Sequence, residues 1–343
     1  MIRLVIDCLG GDHSPSANIL GSLLALNQYS DLELVLAGDE KQVLSELKGH
    51  PYDSTRLSIL HAPDVIGCDE AATAAVAQKK NSSLVKAFEL VRTDESIHGV
   101  VSTGSTGALV AASVLRLGRI HGLKRPAFCP VLPTMNGGIV GVCDSGANIS
   151  VTVRMLQQFA VMGSRYLECA YNVDRPRVAL LNVGTEPEKG DELRKAAFPA
   201  LASMDSIRFA GNMESRDLLS GEFDLVVCDG FSGNVLLKAT EGACLEMLKK
   251  LKRDICSKSL YKFGALFQRR MFEEEKRFMD YRNYGGSVLL GCSKIVVKGH
   301  GSSNAAAVCS CIAQAYRMQN AGLNDRIERD IRNLNKTLPD EQA

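Results

Sequence analysis

The chain has 343 residues, 45% of them hydrophobic, enough to bury a large core as one α/β domain or two lobes. Forty basic residues against 39 acidic leave a formal net charge of +1, so no global field draws in nucleic acid. Eleven cysteines, an odd number with no CxxC, read as buried reduced thiols in a cytosolic protein rather than a disulfide framework or a zinc site.

Ile2–Asp7 reads as a strand beginning almost at the first residue, which leaves no signal peptide ahead of the fold. Gly10-Gly11-Asp12-His13 then fits a tight turn presenting a carboxylate and an imidazole. Leu32–Leu36 is a second strand, ending at Gly38-Asp39 before a polar helix, and the Ala-rich stretch Ala71–Lys86 reads as a helix with Lys79, Lys80 and Lys86 on one face. Val100-Val101 enters Ser102-Thr103-Gly104-Ser105-Thr106-Gly107, and Ala108–Leu117 follows as a helix. Hydroxyls and glycines at a strand-to-helix transition suit an oxyanion, because backbone N–H groups are free at a helix start and hydroxyl donors rotate. The pattern is neither GxGxxG nor a Walker A, so no nucleotide is implied.

Ile139–Cys143 runs into Asp144-Ser145-Gly146-Ala147-Asn148. Val178–Leu181 leads to the loop Asn182–Gly190, where Lys189 is a natural counter-charge for a phosphate at the mouth of the helix Asp191–Leu201. Leu225–Cys228 is apolar enough for a strand buried on both faces; Asp229-Gly230-Phe231-Ser232-Gly233-Asn234 reads as a polar turn, and Val235–Lys249 as a helix. Ile295–Lys298 enters Gly299-His300-Gly301-Ser302-Ser303-Asn304 and a further helix. Five such loops on one sheet edge predict a deep polar pocket rich in anion donors. Lys249–Arg270 carries eight basic residues against Asp254 alone, with Leu260, Phe263, Phe267 and Met271 at helical spacing. A basic amphipathic helix suits an anionic membrane surface, an acidic partner or a second subunit. No apolar run reaches the ~18 residues of a membrane span, and 336–343 reads as a frayed tail.

The segments IDCLGGDHSP, STGSTGAL, DSGAN, NVGTEPEKG, GNMESRD, DLVVCDGFSGNVLLKATEG, YGGSVLLG and GHGSS stand in the order and spacing of the PlsX-type phosphate acyltransferases, and from Ile6 to about Asn304 the chain resembles that family. The resemblance implies a three-layer α/β/α fold with a mostly parallel sheet, similar to the isocitrate and isopropylmalate dehydrogenases, as a single domain over 1–335 with a helical protrusion near 249–280. It implies transfer of a long-chain fatty acyl group from acyl carrier protein to inorganic phosphate, without cofactor or metal. The acyl phosphate would feed a membrane glycerol-3-phosphate acyltransferase in phospholipid synthesis, and the enzyme would be a cytoplasmic homodimer resting on the inner face of the membrane.

Carried over to this sequence, the resemblance gives Lys189 phosphate binding and charge neutralisation, and Asn234 donation to the thioester carbonyl or the oxyanion. Ser102, Gly104, Ser105, Thr106, Gly233, Glu186, His300 and Ser302 belong to the substrate-binding motifs, while Asp144, Asn148 and Asp229 brace loops or hold the pantetheine. Two departures stand out. Cys8-Leu9 replaces the usual Ala-Met, and Ser105 replaces the usual Asn, giving one hydroxyl for an amide. With no Gly-x-Ser-x-Gly elbow and no Cys/His pair marked by spacing, the chemistry reads as direct displacement by phosphate. A short-chain phosphate acyltransferase using coenzyme A and a non-catalytic acyl-carrier or membrane scaffold are the competing readings.

Overall fold

The apolar runs form strands in chain order: β1 (Ile2–Asp7), β2 (Leu32–Gly38), β3 (Leu57–His61), β4 (Gly99–Ser102), β5 (Ala127–Cys129), β6 (Val131–Pro133), β7 (Ile139–Cys143), β8 (Arg177–Asn182), β9 (Arg208–Glu214), β10 (Leu225–Val227), β11 (Ser287–Leu290) and β12 (Ile295–Lys298). Between them lie α1 (Ser16–Gln28), α2 (Glu40–Leu47), α3 (Ala72–Gln78), α4 (Ser83–Thr93), α5 (Thr106–Ala112), α6 (Val153–Tyr171), α7 (Glu192–Ala202), α8 (Gly230–Ser257), α9 (Ser259–Phe267), α10 (Arg269–Phe278), α11 (Ala305–Asn320) and α12 (Leu323–Thr337). This computed structural model describes residues 1–278 and 285–337; Tyr284 of the YGGSVLLG segment, positions 279–280 of the expected protrusion and the tail from 338 lie outside the described residues.

The strands divide into two sheets, in the orders β3-β2-β1-β4-β12-β11-β5 and β6-β7-β10-β8-β9. Both are mostly parallel; β11 runs antiparallel to β12 and β5, and β6 antiparallel to β7. The five polar loops are therefore shared between two sheet edges rather than gathered on one. Alternation along β1 explains the layers: Leu4 and Ile6 face a core with Ile19 of α1 and Ile312 of α11, while Val5 faces Phe88 of α4 and Leu109 of α5. The second sheet repeats the arrangement, with Leu180, Leu225 and Val227 turned toward α6 and Val142, Ala179 and Val226 toward Leu236 of α8. Phe159 and Met162 of α6, both fully buried, each contribute about 1.5–3 kcal/mol of apolar burial to the core that runs under both sheets. The result is an α/β fold with helices on both faces of its sheets.

Three local readings change. The expected helix 71–86 is two helices, because Ser82 caps α4, its Oγ accepting from the Val85 amide at 3.3 Å. The polar turn after β10 is already helix: Asp229 is the N-cap of α8, so Ser232, Gly233 and Asn234 occupy the first turns. The basic stretch from Lys249 is divided among α8, α9 and α10, and from Leu237 to Glu274 no described residue is buried, so this segment protrudes as expected. No helix among the described residues is long and apolar enough to cross a membrane. Cys8, Cys143 and Cys228 are buried, and burial pushes their thiols well above the ordinary value.

Candidate active site

The sheets meet where the chain leaves β5, passes Pro130 and enters β6. A cleft of about 360 Å³ opens at this junction, walled by Phe128 and Leu132, by Asn234 and Lys238 of α8, and by the loop from Lys298 to Ser303. Thr106 and Ser145 complete its polar lining. A crevice at the carboxyl ends of parallel strands is where α/β folds collect amides and hydroxyls around a ligand.

On the first sheet, register aligns Asp7 with Ser102 and Ser102 with Lys298 at the ends of β1, β4 and β12. All three are buried. Ser102 Oγ donates to Asp7 Oδ2 at 2.6 Å and accepts from the Gly104 amide at 3.1 Å, and Ser83 Oγ donates to Asp7 Oδ1 at 2.5 Å. Burial raises the Asp7 pKa against the opposing pull of these hydroxyls. Gly10 is required here, since a Cβ at that position would fall 2.6 Å from the Gly104 nitrogen. Ser105 Oγ accepts from the Ala108 amide at 3.4 Å and caps α5, a task the usual Asn performs equally well. The neighbouring Thr106 is the residue of this loop that lines the cleft. His300 lines it too, with Nδ1 accepting from the Ser302 amide at 3.1 Å and lying 2.8 Å from Ser302 Oγ.

On the second sheet, Asp144 is fully buried and saturated. Its carboxylate accepts from the amides of Phe128 (2.9 Å), Gly146 (3.2 Å), Ala147 (3.1 Å) and Asn148 (2.6 Å) and from Asn148 Nδ2 (2.9 Å). Burial pushes its pKa up while these donors pull it down. This is the geometry of a loop brace, and Asn148 ties the loop again through Nδ2 to the Pro126 carbonyl at 2.8 Å. Asp229 accepts from Ser232 N and Oγ, both at 2.8 Å, and from the Arg194 guanidinium. Burial opposes ionisation there, but the Ser232 donors and Arg194 hold the carboxyl below its ordinary value. A Cβ on Gly233 would overlap the Asp144 carbonyl, so glycine lets α8 start against the loop. Asn234 then reaches the cleft beside Gly146, where a Cβ would lie 2.8 Å from its Nδ2.

Lys189 and Glu186 stand apart from that cleft. Both are exposed in the β8–α7 loop, which Asn182 and Asn212 hold by donating to the carbonyls of Lys189 (3.0 Å) and Glu186 (2.8 Å). Of the residues singled out from sequence, the cleft thus gathers Thr106, Asn234 and His300, with Ser102, Gly104, Ser105, Asp144, Asn148, Asp229 and Gly233 building the loops around it and Ser302 held to His300. Arg194, Ser145, Ser303 and Lys298 were not anticipated. For Lys298 the available signal was a lysine closing the buried run Ile295-Val296-Val297. Chemically, the cleft combines amide and hydroxyl donors with a cation in a partly desolvated space, suited to a phosphate and to an oxyanion forming on a carbonyl.

The model of a family described as "Fatty acid synthesis protein" matches residues 2–326. The phosphate acyltransferase of Brevibacillus brevis is 42% identical over 331 residues, covering 96% of this chain and 97% of the relative. That of Thermoanaerobacter pseudethanolicus is 41% identical over 337 residues, covering 98% and 99%. Among solved structures, a phosphotransacetylase from Streptococcus pyogenes shares the fold with a TM-score of 0.59 at 16% identity, over 93% of this chain and 94% of that one. A branched-chain phosphotransacylase from Enterococcus faecalis does so at 0.55 and 16%, over 92% and 98%. The family match spans every loop of the cleft, and the chain belongs to the PlsX-type phosphate acyltransferases, enzymes of fatty acid synthesis.

Proposed function

We propose that this phosphate acyltransferase transfers a long-chain fatty acyl group from acyl carrier protein to inorganic phosphate by direct displacement. The observation that carries the reading is the adjacency of two spaces with a shared wall. The polar cleft shares Leu132 and Glu241 with an apolar groove lined by Pro133, Met135, Leu219, Cys244, Leu245 and Leu248. A thioester and phosphate fit the first; the second, with about 30 Å³ of free volume, marks where an alkyl chain would insert as its apolar walls part, at about 0.8 kcal/mol for each buried CH₂. A phosphate oxygen attacks the thioester carbonyl carbon, the C–O bond forms and a tetrahedral oxyanion develops. Its collapse breaks the C–S bond, releasing the carrier thiolate, which takes up a proton from solvent, and leaving acyl phosphate. Asn234 donates to the oxyanion, Thr106 and Ser303 to phosphate oxygens, and Lys189, exposed on the β8–α7 loop outside the cleft, supplies positive charge that draws phosphate in.

The product is amphiphilic, which fits an enzyme that works as a homodimer docked on anionic membrane, handing acyl phosphate to a membrane glycerol-3-phosphate acyltransferase. Phe263 and Phe267 support this reading: they are 60% and 79% exposed and pack edge to face on α9. Electrostatics contributes less than the sequence suggested, because Lys249, Lys250, Arg269 and Arg270 are paired with Glu246, Asp254, Glu273 and Glu274. The test is phosphate-dependent acyl phosphate formation, trapped with hydroxylamine, from C16 acyl carrier protein, C16-CoA and acetyl-CoA. Turnover fastest with C16 acyl carrier protein is expected; turnover with acetyl-CoA alone overturns the proposal in favour of a short-chain enzyme.

A further inference from the structure

Resting on the acyl transfer to phosphate argued above, we infer that the ammonium of Lys298 is a phosphate-oxyanion site of the cleft, holding a phosphate dianion against Thr106 and Ser303. Lys298 lines the cleft yet is only 9% exposed, at the end of a strand whose other residues are all core. An ammonium has three N–H donors. Among the described residues its hydrogen-bond partner is the Gly299 carbonyl, and no carboxylate lies within 4.0 Å of Nζ. The nearby carboxylates are Asp7 and Asp12. Asp7 is committed to Ser83 and Ser102, and the Asp12 loop is pinned by its amide to the Gly301 carbonyl at 2.8 Å. A buried cation with donors to spare is costly unless an anion completes it. Burial does depress its pKa, while Asp7 and Asp12, with the Cys311 and Cys68 thiols, oppose that shift, and a bound dianion would add to their side. Thr106 and Ser303 in the cleft wall supply neutral donors to the same anion, while Lys238 and Glu241 of α8 add one further cation and one carboxylate to the lining. An exposed Lys189 can attract phosphate; the desolvated Lys298 can fix it.

The same chemistry would serve the phosphodiester of a pantetheine arm, so the test separates the two sources. Full-length Lys298→Met and Lys298→Arg are compared with wild type for binding of radiolabelled inorganic phosphate at fixed ionic strength, and for KM of phosphate and of acyl donor. We expect Lys298→Met to weaken phosphate binding and raise phosphate KM at least tenfold, to leave donor KM within twofold, and Lys298→Arg to recover most of the loss. Wild-type phosphate affinity in Lys298→Met overturns the inference, as does a rise confined to donor KM. Should Lys298→Met not fold, reductive methylation of native protein read by mass spectrometry decides: phosphate slows modification of Lys298 several-fold relative to chloride, and an unchanged rate refutes the site. A wild-type enzyme that binds phosphate but forms no acyl phosphate would instead refute the proposed function.

Discussion

Asp229→Asn isolates the clamp that starts α8. Asn is as good an N-cap as Asp, so the bond from the Ser232 amide survives. What disappears is the charge-assisted bond from Arg194, worth about 1.5–3 kcal/mol. Arg194 keeps an exposed partner in Asp191, whose pairing returns less than about 1 kcal/mol. The expected loss is therefore roughly 2 kcal/mol, read as a lower midpoint of the first urea transition. The pH dependence has a definite sign. The folded carboxyl is held below its ordinary value of about 3.9, so its stabilisation is complete above that value and disappears as pH falls through the depressed folded pKa. Wild type and variant should differ at pH 7 and converge in acid. Equal midpoints at pH 7, or a gap that persists undiminished at pH 2, would refute the reasoning.

Asn234→Ala should lower kcat on the order of 100-fold with little change in phosphate KM, since an oxyanion donor acts in the transition state; a pure KM effect would place the amide on phosphate. Lys189→Ala should cut phosphate-dependent turnover at least about tenfold, the value of one lost charge-assisted contact, and wild-type turnover in the folded variant removes Lys189 from the reaction. Phe263→Asp with Phe267→Asp should abolish sedimentation with phosphatidylglycerol vesicles while solution turnover holds. Continued sedimentation, or loss of activity with a fall to monomers, would assign the stripe to a subunit contact.

The strands were legible because β-branched runs such as Leu225–Val227 and Ile295–Val297 have little else to become, and Gly and polar residues mark their ends. Their division into two sheets was not, because an apolar run says that it is buried and not which strand it pairs with. Pro130, between β5 and β6, was the local sign of the break. The start of α8 reads as a turn for a related reason: two glycines in Gly230–Gly233 suggest one, but they serve close packing against Asp144 and Asn148 within a helix that Asp229 caps. Lys298 is not marked by the sequence because side-chain type alone makes it a strand terminus; only the register with Ser102 and Asp7 puts its charge beside the polar loops.

That register also explains why Asp144 has to be saturated. Lys298 belongs to one sheet and Asn234 rises from the edge of the other, so their separation depends on the junction between the sheets. The junction is stitched by Asp144 and its neighbour: Phe128 of β5 donates its amide to Asp144 Oδ1 at 2.9 Å, and Ser145 returns an amide to the Phe128 carbonyl at 3.2 Å. The Asp144 carbonyl accepts from Cys228 Sγ at 3.2 Å and sets how closely Gly233, and hence Asn234, approaches. One buried carboxylate, with five hydrogen bonds, thus ties the edge strand of the first sheet to the loop after β7, and the Asn148 carbonyl of that loop accepts the Gly230 amide at the start of α8 at 2.7 Å. A displacement of about 1 Å between reacting groups costs on the order of 100-fold in rate. A rigid, fully satisfied brace at this point is what a reaction shared between two sheets requires.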